Sequence, residues 1–184
     1  MTEKQKMLAG ELYLASDPEL VAARRHARRL TRLYNQTTEE EPERRLEILR
    51  ELFGAVGQRV EIEPPLRCDY GSNIRVGDGF YANFDCIILD CAAVVIGRDV
   101  KLGPRVQILA AYHPTDPVGR ASGRELAGPV TLGDGVWVGA GAIIGPRVTI
   151  GAGSTIGAGS VVTRDVPGGV VAAGVPCRVI RSLT

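Results

Sequence analysis

Along residues 76–166, aliphatic side chains recur every six positions, each usually followed by glycine and, four positions on, by a small or compact apolar residue. The clearest run reads LGDGVW, VGAGAI, IGPRVT, IGAGST, IGAGSV, with lead residues Leu132, Val138, Ile144, Ile150 and Ile156, and Val162 continues it. An earlier run places leads at Val76, Ala82 and Ile88, slips by two residues near Asp90 and Cys91, and resumes at Ile96, Leu102 and Ile108. A helix needs apolar residues about every 3.6 positions and an open strand about every second, so this period fits neither. It fits a triangular coil whose short strands form flat faces, with the leads pointing inward and stacking into ladders from coil to coil. The positions four after each lead (Phe80, Cys86, Val100, Val106, Val136, Ala142, Val148, Ser154, Ser160 and Val166) are mostly small or β-branched, as a narrow prism interior requires. Glycine directly after the lead (Gly77, Gly97, Gly103, Gly133, Gly139, Gly145, Gly151, Gly157) predicts a tight corner, reached through positive φ or through close backbone approach. The competing architecture is a β-sandwich with glycine-rich turns, whose strands would recur at roughly 8–12 residues.

Residues 17–53 carry a helical rather than a six-residue pattern and predict two helices. Asp17 is placed as an N-cap with Pro18 at the first helical position, and Leu20, Ala23, Ala27, Leu30 and Tyr34 share one face. Thr38 with Glu41 predicts a capping box for a second helix carrying Leu46, Leu49, Leu52 and Phe53 and stopped at Gly54. The chain therefore divides into a helical segment over 1–56 and a β-helix domain over 57–184, with an excursion loop at 109–129 and a C-terminal tail. Arg24, Arg25, Arg28, Arg29 and Arg32 of the first helix read as a solvated face, since no aromatic interleaving marks them as RNA-binding. His26 lies on that face and is assigned no chemistry.

A net charge of +1 argues against nucleic acid or a membrane surface as partner. The four cysteines (Cys68, Cys86, Cys91, Cys177) form no CxxC pair and are expected as buried, reduced thiols of a cytoplasmic protein. The opening MTEKQKM is charged and leads into no apolar run, so no signal peptide is expected. No apolar stretch is long enough to span a bilayer.

The hexads lapse once, between Ile108 and Val130, in a segment rich in proline, glycine and charge. A solenoid tolerates such an insertion because each coil packs only on its neighbours, and insertions tend to line the binding face. His113 opens this segment and is the only histidine of the β-helix. Imidazole, with an ordinary pKa of about 6.5, suits proton abstraction near neutrality. Glu125 in the same loop would orient the imidazole, bind substrate or merely be solvated. Beyond the last hexads, Thr163, Arg164, Arg178 and Arg181 offer hydroxyl and guanidinium donors suited to phosphate oxygens. Gly139, Ala140, Gly157 and Ala158 leave the coil surface bare, so a thin extended chain has room along the backbone. Coenzyme A has both parts, a pantetheine arm and a phosphate-rich head.

The hexads resemble the left-handed parallel β-helix of the hexapeptide-repeat acyltransferases. With GELY, CDYGSNIRVGDGFYANFDCIILD, YHPTDP, VWVGAGAIIGPRVTIGAGSTIGAGSVVTRDVP and VAAGVPCRVIR, nearly the whole chain resembles the maltose and galactoside O-acetyltransferases, with the nodulation acetyltransferases nearby. The resemblance implies acetyl-CoA as donor, a sugar as acceptor, no metal, and a homotrimer whose ligand-bearing faces lie between subunits. It puts the catalytic base at His113 and acceptor contacts at Asp69 and Asn83. It sets Trp137 beside the reacting thioester and coenzyme A contacts at Ala140, Ala158, Thr163, Arg178 and Arg181. One departure stands out: Cys91 follows Asp90 where the galactoside enzyme has a second aspartate, which removes a carboxylate expected to bind a galactoside hydroxyl. The wording around NFDC and LD is closer to the maltose type. No cysteine or serine is placed by sequence beside His113, so direct transfer without a covalent enzyme intermediate is expected. A γ-type carbonic anhydrase shares the β-helix but needs three histidine zinc ligands, and the chain has two histidines in all. A non-catalytic β-helix subunit, or an acetyltransferase acting on serine, an aminosugar or an antibiotic, are the other readings.

Overall fold

The computed structural model of the chain describes residues 1–183. Three ladders of parallel strands form the faces of a prism. The first face stacks Ala55–Val56, Ile74–Val76, Val94–Ile96, Val130–Leu132 and Thr149–Ile150. The second stacks Glu61–Ile62, Tyr81–Ala82, Lys101–Leu102, Trp137–Val138, Thr155–Ile156 and Val170–Ala173, and the antiparallel strand Arg178–Ser182 closes its end. The third stacks Arg67–Cys68, Ile87–Leu89, Gln107–Leu109, Ile143–Ile144 and Val161–Val162.

Lead pairs with lead throughout: Val76, Ile96, Leu132 and Ile150 form one internal ladder, and Ala82, Leu102, Val138 and Ile156 a second. Ile88, Ile108, Ile144 and Val162 form the third, and all twelve of these side chains are at most 4% exposed. The solenoid starts one coil before the hexads become visible, with Val56, Ile62 and Cys68 pairing onto Val76, Ala82 and Ile88. That coil is concealed in the sequence because Arg59 stands where the next coil has Gly79, and Pro64 and Pro65 form its second corner.

Of the two reasons for glycine after the lead, the second is the operative one. A Cβ on Gly139 would lie 2.5 Å from the Ala158 nitrogen of the next coil. Positive φ occurs two residues further on, at Gly135, Gly141, Gly153 and Gly159, and also at Asp85, Asp99, Arg105 and Arg147. The corner therefore turns at its third residue, whereas the first is squeezed by the coil above.

Three helices precede the prism: α1 (Glu3–Ala9), α2 (Pro18–Asn35) and α3 (Pro42–Leu52). Helix α1 was not expected; Thr2 and Gln5 form its capping box and Met7 is its buried anchor. Helix α2 starts as its sequence requires, the Asp17 carboxylate accepting from the Glu19 N–H at 3.0 Å. The Thr38 box does not cap α3, because Pro42 at the first helical position starts the helix after Glu41. Glu41 instead accepts from the Thr38 N–H and hydroxyl at 2.8 and 3.0 Å. At the other end Gly54 is no helix cap, since its N–H donates to the Ile74 carbonyl and joins the first face. Asn35 fastens α2 to the first coil, donating to the Leu66 carbonyl at 2.9 Å and accepting from its N–H at 2.8 Å.

The excursion is more than a loop. Ala111–Tyr112 and Arg124–Ala127 pair as an antiparallel hairpin with a short helix, α4 (Pro117–Ala121), at its tip. Tyr13–Leu14 adds a third strand, so the N-terminal segment pins the hairpin. All four cysteines are buried free thiols, and among the described residues no helix is long and apolar enough to cross a membrane.

Candidate active site

The site is built where the coil departs from its period. Around most of the prism six residues separate one lead from the next, but at the corner between the third and first faces Cys68 is eight positions from Val76 and Ile88 eight from Ile96. At the third coil the same corner holds the whole hairpin, between Ile108 and Leu132. The surplus residues stack on successive coils. Asp69, Cys91, His113 and Glu125, with Ala15, Arg24, Arg28, Tyr70, Leu89 and Ala111, line a cavity of about 290 Å³.

Asp90 holds the lower corner in shape. It is fully buried, and its carboxylate accepts from the N–H groups of Asp69 at 3.1 Å, Tyr70 at 2.8 Å and Asn73 at 3.2 Å. Its carbonyl accepts from Asn73 Nδ2 at 2.7 Å. Burial pushes the Asp90 carboxyl up to about 6, against the opposing pull of the backbone N–H donors.

Asp69 itself faces the cavity. Burial raises its carboxyl above the usual range, an effect partly offset by the Cys91 thiol, which donates to Oδ2 at 3.4 Å, and by the charges of Arg24 and Arg28. Cys91, 4% exposed, lines the same cavity as His113, which sequence reasoning did not foresee. Burial and then the neighbouring Asp69 carboxylate push its thiol upward, so it is a neutral donor rather than a thiolate nucleophile. Glu125 is half-buried, and the hydroxyl of buried Tyr13, its cross-strand partner, donates to Oε2 at 2.9 Å. His113 follows the strand Ala111–Tyr112 on the exposed rim, and the Arg147 guanidinium sits 5.6 Å from the centroid of the preceding Tyr112 ring.

The arginines of α2 are not one solvated face. Arg24 is half-buried, donates to the Tyr70 hydroxyl at 2.7 Å, stacks 5.6 Å above that ring, and also donates to the Ala15 carbonyl. Arg28 joins it on the cavity wall. Helical spacing identified the row but not what the row would face.

Asn83 does not line this cavity. It follows Ala82 at the corner between the second and third faces, where its Oδ1 accepts from the Phe84 N–H at 2.7 Å. Ala140 stands at the same corner two coils further on, in an open cleft of about 450 Å³ with Phe84, Asp85, Pro104, Arg105 and Gly141. Ala158 follows on the next coil and is exposed. Trp137, 56% exposed, stands on the second face between Lys101 and Thr155. Thr163 is exposed beside Arg164, which with Arg178 lines a cleft of about 150 Å³ at the last coil. Arg181 lies opposite Val171 on the closing strand. One chain thus brings Asp69, His113 and Glu125 together and leaves Asn83, Trp137, Ala140, Ala158 and the C-terminal arginines elsewhere on the prism.

Residues 6–57 match the maltose acetyltransferase hexapeptide capping motif, and residues 129–164 match the bacterial transferase hexapeptide model of six repeats. Fold and matches together define a hexapeptide-repeat acyltransferase. Nodulation protein L of Rhizobium meliloti is 51% identical over 178 residues, covering 97% of each chain. The solved maltose O-acetyltransferase of Clostridium difficile 630 is 54% identical at a TM-score of 0.99, over 100% of this chain and 98% of that one. A galactoside acetyltransferase solved in complex with coenzyme A is 41% identical at a TM-score of 0.97, over 100% of this chain and 92% of that one. The chain belongs to the maltose and galactoside O-acetyltransferase family of hexapeptide-repeat proteins.

Proposed function

We propose that this protein transfers the acetyl group of acetyl-CoA directly to a hydroxyl of a sugar such as maltose or glucose, with His113 as general base. The observation that carries the reading is the convergence of Asp69, His113 and Glu125 on one cavity whose thiol, Cys91, is kept neutral by burial. A sugar hydroxyl lying between Asp69 and His113 would be oriented by the carboxylate and lose its proton to the imidazole. Glu125, fixed by Tyr13, would hold the imidazole or a second hydroxyl.

The residues fit the donor. Coil corners stripped to Gly139, Ala140, Gly157 and Ala158 leave a bare backbone along which a pantetheine arm has room, and Thr163, Arg164, Arg178 and Arg181 offer donors for phosphates. When bound, acetyl-CoA supplies an activated thioester. Gly139 and Gly141 direct their N–H groups to the Ile156 and Pro104 carbonyls, while the Ala140 N–H donates to no group among the described residues. That N–H is our choice for the donor to charge developing on the thioester oxygen. The experiment that tests the reading is an acceptor screen with acetyl-CoA, followed by thiol release. Serine, aminosugars and antibiotics serve as rivals to maltose and glucose, and transfer only to a rival would refute it.

Because the His113 corner and the Ala140 corner belong to different edges of the prism, we place the complete site between copies in a homotrimer, the His113 hairpin of one meeting the coil of the next. Light scattering should report a trimer; a fully active monomer at micromolar concentration would refute this.

Arg178→Ala or Arg181→Ala should raise the KM for acetyl-CoA about tenfold or more while leaving that for sugar nearly unchanged, since a charge-assisted contact contributes about 1.5–3 kcal/mol. The loss should shrink with a dephospho-CoA thioester at whichever arginine holds the 3′-phosphate. Equal losses with both donors at both positions would place neither arginine there.

Gluco-configured acceptors should be preferred over galactosides, by up to about tenfold, because Cys91 provides no carboxylate and one buried hydrogen bond contributes about 0.5–1.5 kcal/mol. Cys91→Asp should move the kcat/KM ratio of thiogalactoside to maltose upward. The ratio is the proper readout, since a second carboxylate beside Asp69 also carries a cost in stability. A strong galactoside preference in the unaltered protein would overturn the argument.

A further inference from the structure

Beside the His113 cavity lies a second cleft, of about 380 Å³, between α2 and the first strand of the third face. Arg28, Thr31, Arg32, Asn35, Leu66, Arg67 and Cys68 line it. Its charge is unlike that of the cavity next door. There, Arg24 and Arg28 face Asp69 and Glu125, whereas here the lining holds three arginines and no carboxylate, and Arg32 and Arg67 belong to this cleft alone. The side chains of Arg32 and Arg67 make no hydrogen bond or ion pair among the described residues. The chain as a whole carries only +1, so this concentration is local.

The two spaces adjoin. Arg28 belongs to both walls, and Cys68 of the cleft directly precedes Asp69 of the cavity. Arg24, Arg28 and Arg32 follow one another at intervals of four along α2, so their Cβ atoms advance by about 6 Å per step along one edge. That edge runs from the tyrosine-bound Arg24, beside the cavity, to the unpaired Arg32 over the cleft. A row of guanidiniums ending in an acid-free hollow suits an oxyanion with several acceptor oxygens.

We propose that the acceptor site extends into this cleft and that the preferred acceptor is a sugar carrying an anionic substituent, a phosphate, sulfate or carboxylate, held by Arg28, Arg32 and Arg67. The inference rests on the sugar-acetylation reading and narrows it to a substrate class. The hydroxyl to be acetylated lies at His113 and the anion about one or two helical turns away along α2. No phosphate or other group is broken or transferred in the cleft; it only binds.

The test compares kcat/KM with acetyl-CoA for glucose and maltose against glucose 1-phosphate, glucose 6-phosphate and glucuronate, at low ionic strength. At least one anionic acceptor should be preferred by about tenfold or more, with the preference falling as salt is added, because the guanidiniums are solvent-accessible. In Arg32→Ala and Arg67→Ala that preference should collapse toward unity, the loss being confined to anionic acceptors. Adding inorganic phosphate to glucose distinguishes a free-anion effector from a substituent on the acceptor: stimulation of glucose turnover by phosphate would overturn the proposal, and competition against the anionic acceptor would support it. If glucose and maltose are acetylated but no anionic acceptor exceeds them, or if the preference survives both substitutions, the inference fails and the sugar-acetylation reading stands. If no sugar of either kind is acetylated, both fail.

Discussion

Replacing His113 by alanine should lower turnover by about two to four powers of ten while leaving folding and acetyl-CoA binding nearly unchanged, the usual contribution of a positioned general base. The specificity of this expectation comes from where the residue sits. Its side chain is exposed on the hairpin rim, outside every internal ladder, and it makes no hydrogen bond or ion pair among the described residues. Nothing in the core is therefore disturbed by its loss. Thiol release measured under saturating sugar and acetyl-CoA gives the turnover, and a thermal melt on the same sample checks the fold. Near-normal turnover in a well-folded variant would remove His113 from the mechanism, leaving Glu125 or a bound water to accept the proton.

Asp90→Ala should have the largest effect on stability, about 3–5 kcal/mol, with activity lost alongside it. Three N–H groups, those of Asp69, Tyr70 and Asn73, depend on this one buried carboxylate, and an unsatisfied buried donor costs about 1–3 kcal/mol. Local relaxation and water recover part of that sum. Because one of the three donors is Asp69, the cavity wall shifts even where the fold survives. Urea unfolding gives the stability, and a loss below about 1 kcal/mol would show that the corner does not need its carboxylate.

The same residue has a signature in pH. Its carboxyl is pushed up to about 6 in the folded chain, above the value of about 3.9 expected when unfolded. Between those values the folded chain holds the proton more readily, so this group's contribution to stability falls as pH rises through the window. Asp90→Asn, which cannot titrate, should lack that component. Subtracting the two urea-midpoint profiles between pH 4 and 6 tests the sign, and a difference rising with pH would contradict it.

The prism was legible because burial imposes its own period. Leads such as Leu132 and Ile156 must all enter one narrow interior, and the six-residue spacing is the direct trace of that demand. Where the coil carries extra residues the trace fades. The first coil, from Val56 to Cys68, keeps the spacing but was hidden by its corner residues Arg59, Pro64 and Pro65, and the surplus at Asp69 escaped notice although the similar slip at Asp90 and Cys91 was visible. The hairpin was also illegible, since pairing Tyr13 with Glu125 joins segments far apart in sequence and leaves no periodic sign in either. His113 could be singled out as the lone β-helix histidine in the one break of the repeat. Arg24 and Arg28 could not, because a helix pattern tells which residues share an edge and not what that edge meets. Cys91, expected as a buried thiol and as a missing carboxylate, lies against Asp69 and donates to it.

Above the hairpin the coils stack without an excursion, eighteen residues carrying Val138 to Ile156 and sixteen carrying Ile156 to Ala172. From Trp137 the outward ladder climbs through Thr155 and Val171 to Arg181, three rungs in all. Adjacent strands lie about 4.8 Å apart, so the prism spaces the tryptophan's level from the C-terminal guanidinium by about 14 Å. A loop of the same length would let that separation fluctuate, whereas stacked coils fix it in whole steps. The solenoid is in this respect a ruler, and adding or removing one coil would regraduate the reach between the tryptophan and the C-terminal guanidinium without altering a single inward-facing contact pattern.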